Sequence, residues 1–152
     1  MSVIDLQGFQ LTPHSFVVKE LAFYDINNGY HGRWSFKPPH PWEDLSPSKQ
    51  KSYAWVTRNL HGMSWKSGKL PYKTFRRILM SLFTSYDIIY VKGLEKANFL
   101  KKFSADLNIV NLDCPKIDDL HLPIVKCPFH LPESHYCALQ RAAAFAKLLR
   151  SN

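Results

Sequence analysis

Two cysteines and two histidines fall within eleven residues near the end of the chain: Cys127, His130, His135 and Cys137. Thiolate and imidazole are ligands that Zn²⁺ prefers in proteins, and the Cys-x₂-His spacing lets both side chains bind one ion from a tight turn. The sequence therefore predicts a structural zinc site held by Cys127, His130 and Cys137. The fourth ligand is His135, Cys114 or a more distant residue.

The same residues have a simpler interpretation. Cysteine is often an ordinary core residue, so Cys127 and Cys137 can be buried thiols, with His130 and His135 on a surface loop. The chain contains three cysteines, and an odd number in an intracellular protein argues against a disulfide framework. Metal ligands and plain core thiols are therefore the two alternatives.

Size and composition indicate one globular domain. The chain has 152 residues, of which 45% are hydrophobic and 21% charged, and this is enough to bury a core without disulfides. No apolar stretch approaches the roughly 20 residues that cross a membrane, and the first residues lack the basic segment of a signal peptide. We expect a single domain over residues 1–152, cytoplasmic or nuclear, with no membrane partner.

Hydrophobic periodicity predicts an α/β domain with the element order β-β-β-α-α-β-α-β-α. The predicted strands cover residues 2–8, 15–24, 30–36, 87–91 and 107–112. The predicted helices cover residues 46–59, 72–83, 94–103 and 133–149. A meander of three strands followed by β-α-β units implies a mixed five-stranded sheet with helices on its faces.

This element order resembles the ribonuclease H-like fold of DnaQ-type 3′–5′ exonucleases. Those enzymes carry Asp-x-Glu on the first strand, where this chain has Asp5-Leu6-Gln7. Their His-Gly-Ile element is matched here by His61-Gly62-Met63. Their later catalytic aspartates correspond to Lys96 and to Arg141, the second of which follows His135 on the last predicted helix.

The resemblance implies that conventional exonuclease chemistry is lost. Two-metal hydrolysis needs several carboxylates around a pair of hard cations. Gln7 offers a neutral oxygen, whereas Lys96 and Arg141 repel Mg²⁺. Asp5 and His135 are the remaining candidates for catalytic residues, and the sequence assigns no complete catalytic set.

A second resemblance is to the Maelstrom-like domain of the piRNA pathway. That domain is similar to a DnaQ-type fold without its catalytic carboxylates, and it carries a Glu-Cys-His-Cys zinc site. The resemblance implies a structural zinc ion held by Glu20, Cys127, His130 and Cys137. Glu20 lies in an apolar β-run, where an inward-facing carboxylate needs a partner, although on an alternating strand it can also point to solvent.

The formal net charge of +8 suggests a polyanionic partner. Aromatic residues lie among the cations, and rings beside phosphate-neutralising cations are typical of single-strand binding. The aromatic residues are Tyr53, Trp55, Trp65 and Tyr72. The predicted nucleic-acid contacts are Lys66, Lys69, Lys73, Arg76, Arg77, Lys92, Lys96 and Arg141. Solvated helix faces and core aromatics are the simpler interpretation.

Three functions from different classes follow from these features. The favoured one is a zinc-stabilised, catalytically degenerate protein that binds single-stranded RNA, in small-RNA silencing or in a mobile element or virus. The alternative is a ribonuclease, metal-dependent or unconventional, that uses Asp5, Glu20 or His135. A weaker alternative is a protein–protein adaptor that docks partners on the proline-rich segments 37–41 and 113–132.

Overall fold

A computed structural model describes residues 1–12, 15–104, 106–112 and 137–150. Its strands are β1 (Ser2–Thr12), β2 (Ser15–Asp25), β3 (His31–Ser35), β4 (Ile88–Val91) and β5 (Asn108–Asn111). Its α-helices are α1 (Pro47–Val56), α2 (Thr74–Ser85), α3 (Leu94–Lys101) and α4 (Ala138–Arg150). The order of these elements along the chain is the predicted one.

The strands form one mixed sheet in the order β3-β2-β1-β4-β5. β1 pairs antiparallel with β2 and parallel with β4, which in turn pairs parallel with β5. The β1–β4 pairing involves only Ser2 and Val3 of β1. The rest of β1, from Ile4 onward, therefore runs past the end of that pairing and leaves an edge that side chains of other elements can reach.

β1 continues to Thr12, further than predicted, and its partner β2 contains a β-bulge. The register moves from Gln7 opposite Glu20 to Gly8 opposite Val18, so Lys19 is the additional residue. A Cβ atom on Gly8 would lie 1.9 Å from the carbonyl oxygen of Val17. Gly8, where the predicted strand ends, is instead the residue that permits this close approach.

The two faces of the sheet have separate hydrophobic layers. α2 and α3 pack on one face, against side chains such as Ile4, Leu6 and Ile89. α4 covers the other face, where it contacts β1, β2 and β3 and packs against Val3. A third cluster surrounds Phe9 near the end of β1, beside α1. Within the part of the chain that the structure describes, no helix is long and apolar enough to span a bilayer.

Candidate functional site

The carboxylate of Asp5 binds three side chains at the uncovered part of β1. Lys96 Nζ lies 2.9 Å from Oδ1, and Arg141 Nε lies 3.3 Å from Oδ2. Gln7 Nε2 donates a hydrogen bond of 2.8 Å to Oδ2. We call these four residues the Asp5 cluster. Asp5 is fully buried, whereas the side chains of Lys96 and Arg141 remain 22% and 15% exposed.

Three elements, β1, α3 and α4, supply the residues of the Asp5 cluster. Strand alternation places Asp5 and Gln7 on the same face of β1. Lys96 extends from the first turn of α3, which follows β4 and therefore begins beside the uncovered part of β1. Arg141 comes from the first turn of α4, and its guanidinium lies 5.2 Å from the ring centroid of Phe145. The structure thus joins residues that are far apart in sequence, at the positions matched to exonuclease carboxylates.

The electrostatics of the Asp5 cluster disfavour a divalent cation. Burial lowers the pKa of Lys96, the Asp5 carboxylate opposes that shift, and Arg141 adds to it. The two cations outnumber the one carboxylate, and their nitrogen atoms already contact both of its oxygen atoms. A hard cation prefers several anionic oxygen ligands. The residues present at this position therefore do not fit the Mg²⁺ pair of a DnaQ-type exonuclease.

Glu20 is fully buried on β2 and joins that strand to the start of α4. Its Oε2 forms an ion pair with Arg33 of β3, and its Oε1 accepts a hydrogen bond of 2.6 Å from the backbone N–H of Ala138. A carboxylate at a helix N-terminus satisfies a free N–H group and favours the helix dipole. The expectation that Glu20 points to solvent is wrong, because none of it is exposed.

Two of the predicted zinc ligands, Glu20 and Cys137, lie near the start of α4. The residue whose N–H binds Glu20 directly follows Cys137, and Cys137 is only 5% exposed. Cys127, His130, His135 and Cys114 lie outside the described residues. Among the residues with described positions, no three His, Cys, Asp or Glu side chains gather as a metal site. Each carboxylate oxygen has two lone pairs, so the contacts with Arg33 and Ala138 do not by themselves prevent Glu20 from ligating a metal.

Replacing Glu20 with glutamine is expected to lower the free energy of unfolding by about 3 kcal/mol, because it removes a charged partner of Arg33, whose side chain is mostly buried. Urea unfolding followed by circular dichroism measures the change. Glu43→Gln is the matched control, since Glu43 lies 4.0 Å from Lys66 with both side chains more than 70% exposed. The control should change stability by less than about 0.5 kcal/mol. Equal losses in the two variants would contradict this role of Glu20.

The predicted basic contacts are divided between two faces of the sheet. Lys73, Arg76 and Arg77 are exposed on α2, whereas Arg141 belongs to α4 on the opposite face. Lys66 and Lys69 are exposed on the segment before α2, and Lys92 is half-buried after β4. Lys96 reaches the Asp5 cluster from α3. These eight residues therefore do not form one continuous patch.

The aromatic residues differ in their accessibility to a nucleobase. Trp65 and Tyr53 are 2% and 3% exposed and belong to the core cluster around Phe9, so neither presents an open face. Tyr72 is half-buried, and its hydroxyl accepts a hydrogen bond from the N–H of Val18. Trp55 is 56% exposed on α1. The interpretation of these residues as core aromatics therefore holds for Trp65 and Tyr53 but not for Trp55.

Sequence reasoning missed Lys19, the bulge residue. Its ammonium group donates hydrogen bonds of 2.7 Å to the carbonyl oxygens of Phe36 and Trp65, and a third to that of Ser67. Burial lowers the pKa of Lys19 to about 8. The sequence does contain a feature that could have identified Lys19 as buried, because it lies in the same apolar run as Glu20. Lys19 fixes the segment after α1 against β2.

His61, in the matched His-Gly element, is buried and hydrogen-bonded to the backbone. It is 1% exposed, its Nε2 lies 3.0 Å from the carbonyl oxygen of Gly8, and its Nδ1 accepts from the N–H of Met63. These bonds require the neutral ring with its proton on Nε2. Gly62 follows with φ of +70°, a conformation that glycine adopts without strain. This element therefore shapes the turn beyond α1.

Comparisons with known proteins identify the fold. No family model and no curated protein matches the sequence. The structure is similar to E. coli Exonuclease I in complex with a 5cy-dA13 oligonucleotide, with a TM-score of 0.58 and 14% identity over 98% of this chain and 39% of that one. For the complex of the same enzyme with a dT13 oligonucleotide, the TM-score is 0.57 and the sequence identity is 15%, over 99% of this chain and 40% of that one.

The chain therefore spans about two-fifths of the length of Exonuclease I. At this level of identity the similarity identifies the fold alone. The protein has the ribonuclease H-like fold of DnaQ-type exonucleases, as predicted from its element order.

Proposed function

We propose that this protein binds single-stranded nucleic acid, specifically RNA, on an exonuclease-type scaffold and does not hydrolyse it. The observation that carries the proposal is the contact of Asp5 with Lys96 and Arg141, two cations at positions matched to catalytic aspartates. The similar Exonuclease I structures hold oligonucleotides, which supports nucleic acid as the class of ligand.

The Asp5 cluster has the chemistry of a phosphate-binding site. Asp5 accepts a hydrogen bond from Lys96 and forms an ion pair with Arg141, so less conformational entropy is lost when the two cations bind a ligand. Both side chains retain some exposure, and they bring two positive charges to Asp5, with Glu20 as a second carboxylate whose charge acts on Lys96. Arginine and lysine neutralise phosphates without reading sequence. We therefore expect affinity that depends strongly on salt and weakly on base sequence.

The ribonuclease alternative has no comparable support. A carboxylate that activates water for attack on a substrate must be accessible to both, whereas Asp5 and Glu20 are fully buried and engaged with basic groups. We further propose a Maelstrom-like role in small-RNA silencing, or in a mobile element or virus, on the basis of the sequence resemblance.

A structural zinc ion forms part of the same proposal, with Glu20, Cys127, His130 and Cys137 as its ligands. Four protein ligands leave no open position for water, so the ion would stabilise the fold rather than react. It would attach the start of α4 to β2 at the point where Glu20 already binds the N–H of Ala138. Arg141 lies one turn further along α4, and its position would therefore depend on this attachment.

Purified, untagged protein is expected to contain one zinc ion per chain, measured by atomic emission. Cys127→Ser and Cys137→Ser should both lose the metal and melt at a lower temperature, because metal binding is coupled to folding. Cys114→Ser is the comparison variant and should retain the zinc if Cys114 is not a ligand. A well-folded wild-type protein without zinc would contradict the proposed site.

Fluorescence anisotropy with a labelled single-stranded RNA in EDTA tests the binding function. We expect tight binding at low salt, a steep loss of affinity with rising salt, and weaker binding of the corresponding duplex. The Asp5→Asn/Lys96→Met/Arg141→Met variant should bind about tenfold or more weakly, since it removes two phosphate contacts without leaving a buried, unpaired carboxylate at Asp5. A Lys101→Met/Lys147→Met variant removes the same number of exposed charges from the ends of the same two helices. Equal affinities of these variants would contradict a role for the Asp5 cluster.

A further inference from the structure

We propose that a pocket beside α1 binds one unpaired nucleotide of the strand, its base against Trp42 and its phosphate at Arg58 and Lys66. This inference rests on the proposed function and adds a second contact region to it. The pocket is bounded by α1, by the 3-10 turn Trp42–Asp44 and by residues 64–66. Its volume is about 460 Å³, which lies within the usual range of small-ligand pockets.

The aromatic wall of the pocket is rigid. The ring of Trp65 stacks on Tyr53 with 5.8 Å between centroids, and its Nε1 donates to the carbonyl oxygen of His40 at 3.0 Å. The carbonyl oxygen of Trp65 accepts from the buried Lys19. These contacts hold the wall in place before any ligand binds, and preorganisation of this kind reduces the cost of binding.

Trp42 is the ring that a base can reach. It is half-buried, and its centroid lies 6.4 Å from that of Trp65, so part of the ring packs on the core while the rest remains accessible. Gln50 donates a hydrogen bond of 3.1 Å to the carbonyl oxygen of Trp42 and fixes its backbone. A tryptophan ring supported on one side is a suitable platform for stacking.

Arg58 and Lys66 supply positive charge at the opening of the same pocket. Both are exposed. Arg58 belongs to the π-helical turn Thr57–His61 that extends α1, and π-helical turns are frequent at functional sites. Lys66 lies 4.0 Å from Glu43, but both side chains are highly exposed, so this ion pair contributes little and Lys66 can turn to a phosphate.

The aromatic rings and the cations of the pocket together indicate which class of ligand fits it. A base presents a flat face for Trp42, and the phosphate attached to the same nucleotide can reach Arg58 or Lys66. A base in a duplex is already stacked and paired, so the occupant comes from a single strand.

β1 connects this pocket to the Asp5 cluster. Tyr53 donates a hydrogen bond of 3.0 Å to the carbonyl oxygen of Gln10, and the rings of Phe9 and Trp65 are 5.7 Å apart. Phe9 is four residues beyond Asp5, about 13 Å along an extended strand. A single strand that follows β1 can therefore contact both regions.

The test combines photocrosslinking with two charge-reversal variants of the full chain. A single-stranded RNA that contains 4-thiouridine is irradiated with the wild-type protein, and the crosslinked peptide is identified by mass spectrometry. We expect the crosslink at Trp42 or within residues 57–66. Arg58→Glu should weaken binding about tenfold or more, and Lys51→Glu, the same change of charge on the same helix but outside the pocket lining, should weaken it less than about threefold.

The wild-type protein should bind an RNA with a base at the crosslinked position more tightly than one with an abasic site there, and Trp42→Ala should lose this preference. If Trp42→Ala does not fold, the affinity of Arg58→Glu tests the pocket. Equal effects of Arg58→Glu and Lys51→Glu, with crosslinks elsewhere, would overturn the pocket but leave the proposed function intact. Failure of the wild-type protein to bind any single strand would overturn both. Binding of uridine monophosphate as tight as that of the RNA would show that the occupant is a free nucleotide, contrary to the proposal.

Discussion

Replacement of Asp5 by asparagine is expected to lower the free energy of unfolding by about 3–5 kcal/mol. The substitution keeps the size of the side chain but removes the charge that Lys96 and Arg141 share. Those two cations are mostly buried and repel each other, and the substitution removes the charge of the carboxylate that both of them contact. Urea unfolding of the purified variant measures the loss.

Two comparisons separate this effect from a general effect of losing a carboxylate. Asp87→Asn alters an exposed aspartate just before β4 and should change stability by less than about 0.5 kcal/mol. Adding Lys96→Met and Arg141→Met to Asp5→Asn should restore most of the lost stability, because a buried ion cluster can often be replaced by apolar side chains at little cost. An Asp5→Asn variant within about 1 kcal/mol of wild type would contradict the compensating role of Asp5.

The variant Gln7→Glu/Lys96→Asp/Arg141→Asp is expected to create a binding site for Mn²⁺ or Mg²⁺. It places carboxylates at each position matched to the exonuclease motifs and removes the two cations that exclude a metal. Without metal, the like charges should lower the melting temperature. With Mn²⁺ at about 100 times its dissociation constant, binding should stabilise the fold by about 2.7 kcal/mol, which raises the melting temperature by about 5–10 °C.

The control for the created site is the neutral variant Lys96→Asn/Arg141→Asn. It removes the same cations without adding carboxylates and should not respond to Mn²⁺, and neither should the wild-type protein. Differential scanning fluorimetry with and without the metal makes the comparison. Identical melting temperatures of the acidic variant in both conditions would show that these side chains do not converge as the structure indicates.

Much of the fold could be predicted because the strands and helices are strongly periodic. The main error in the elements was the end of β1 at Gly8. Glycine in a strand pattern suggests an end, and only the three-dimensional pairing shows that it faces the bulge at Lys19. The burial of Glu20 could be anticipated from its apolar neighbours. Its partners Arg33 and Ala138 could not, because both are brought to it by the packing of other elements.

The exposure of a side chain was harder to predict than the helix or strand on which it lies. Trp55 and Trp65 have similar basic neighbours in sequence, yet one is exposed on α1 and the other is enclosed by Tyr53 and His40. Lys96 and Arg141 were predicted as contacts to nucleic acid, and the structure adds that Asp5 holds both. Trp42 was overlooked because its pocket is formed by three separate segments.

The most direct test of the central claim measures binding and integrity of one RNA together. A 5′-labelled single-stranded RNA is incubated with the wild-type protein in EDTA, in Mg²⁺ and in Mn²⁺, and the bound fraction and the length of the RNA are followed for hours. We expect binding in EDTA comparable to that in either metal at matched ionic strength, with the RNA intact throughout. Shortening of the RNA that requires a divalent metal and disappears in a folded Asp5→Asn variant would contradict the central claim.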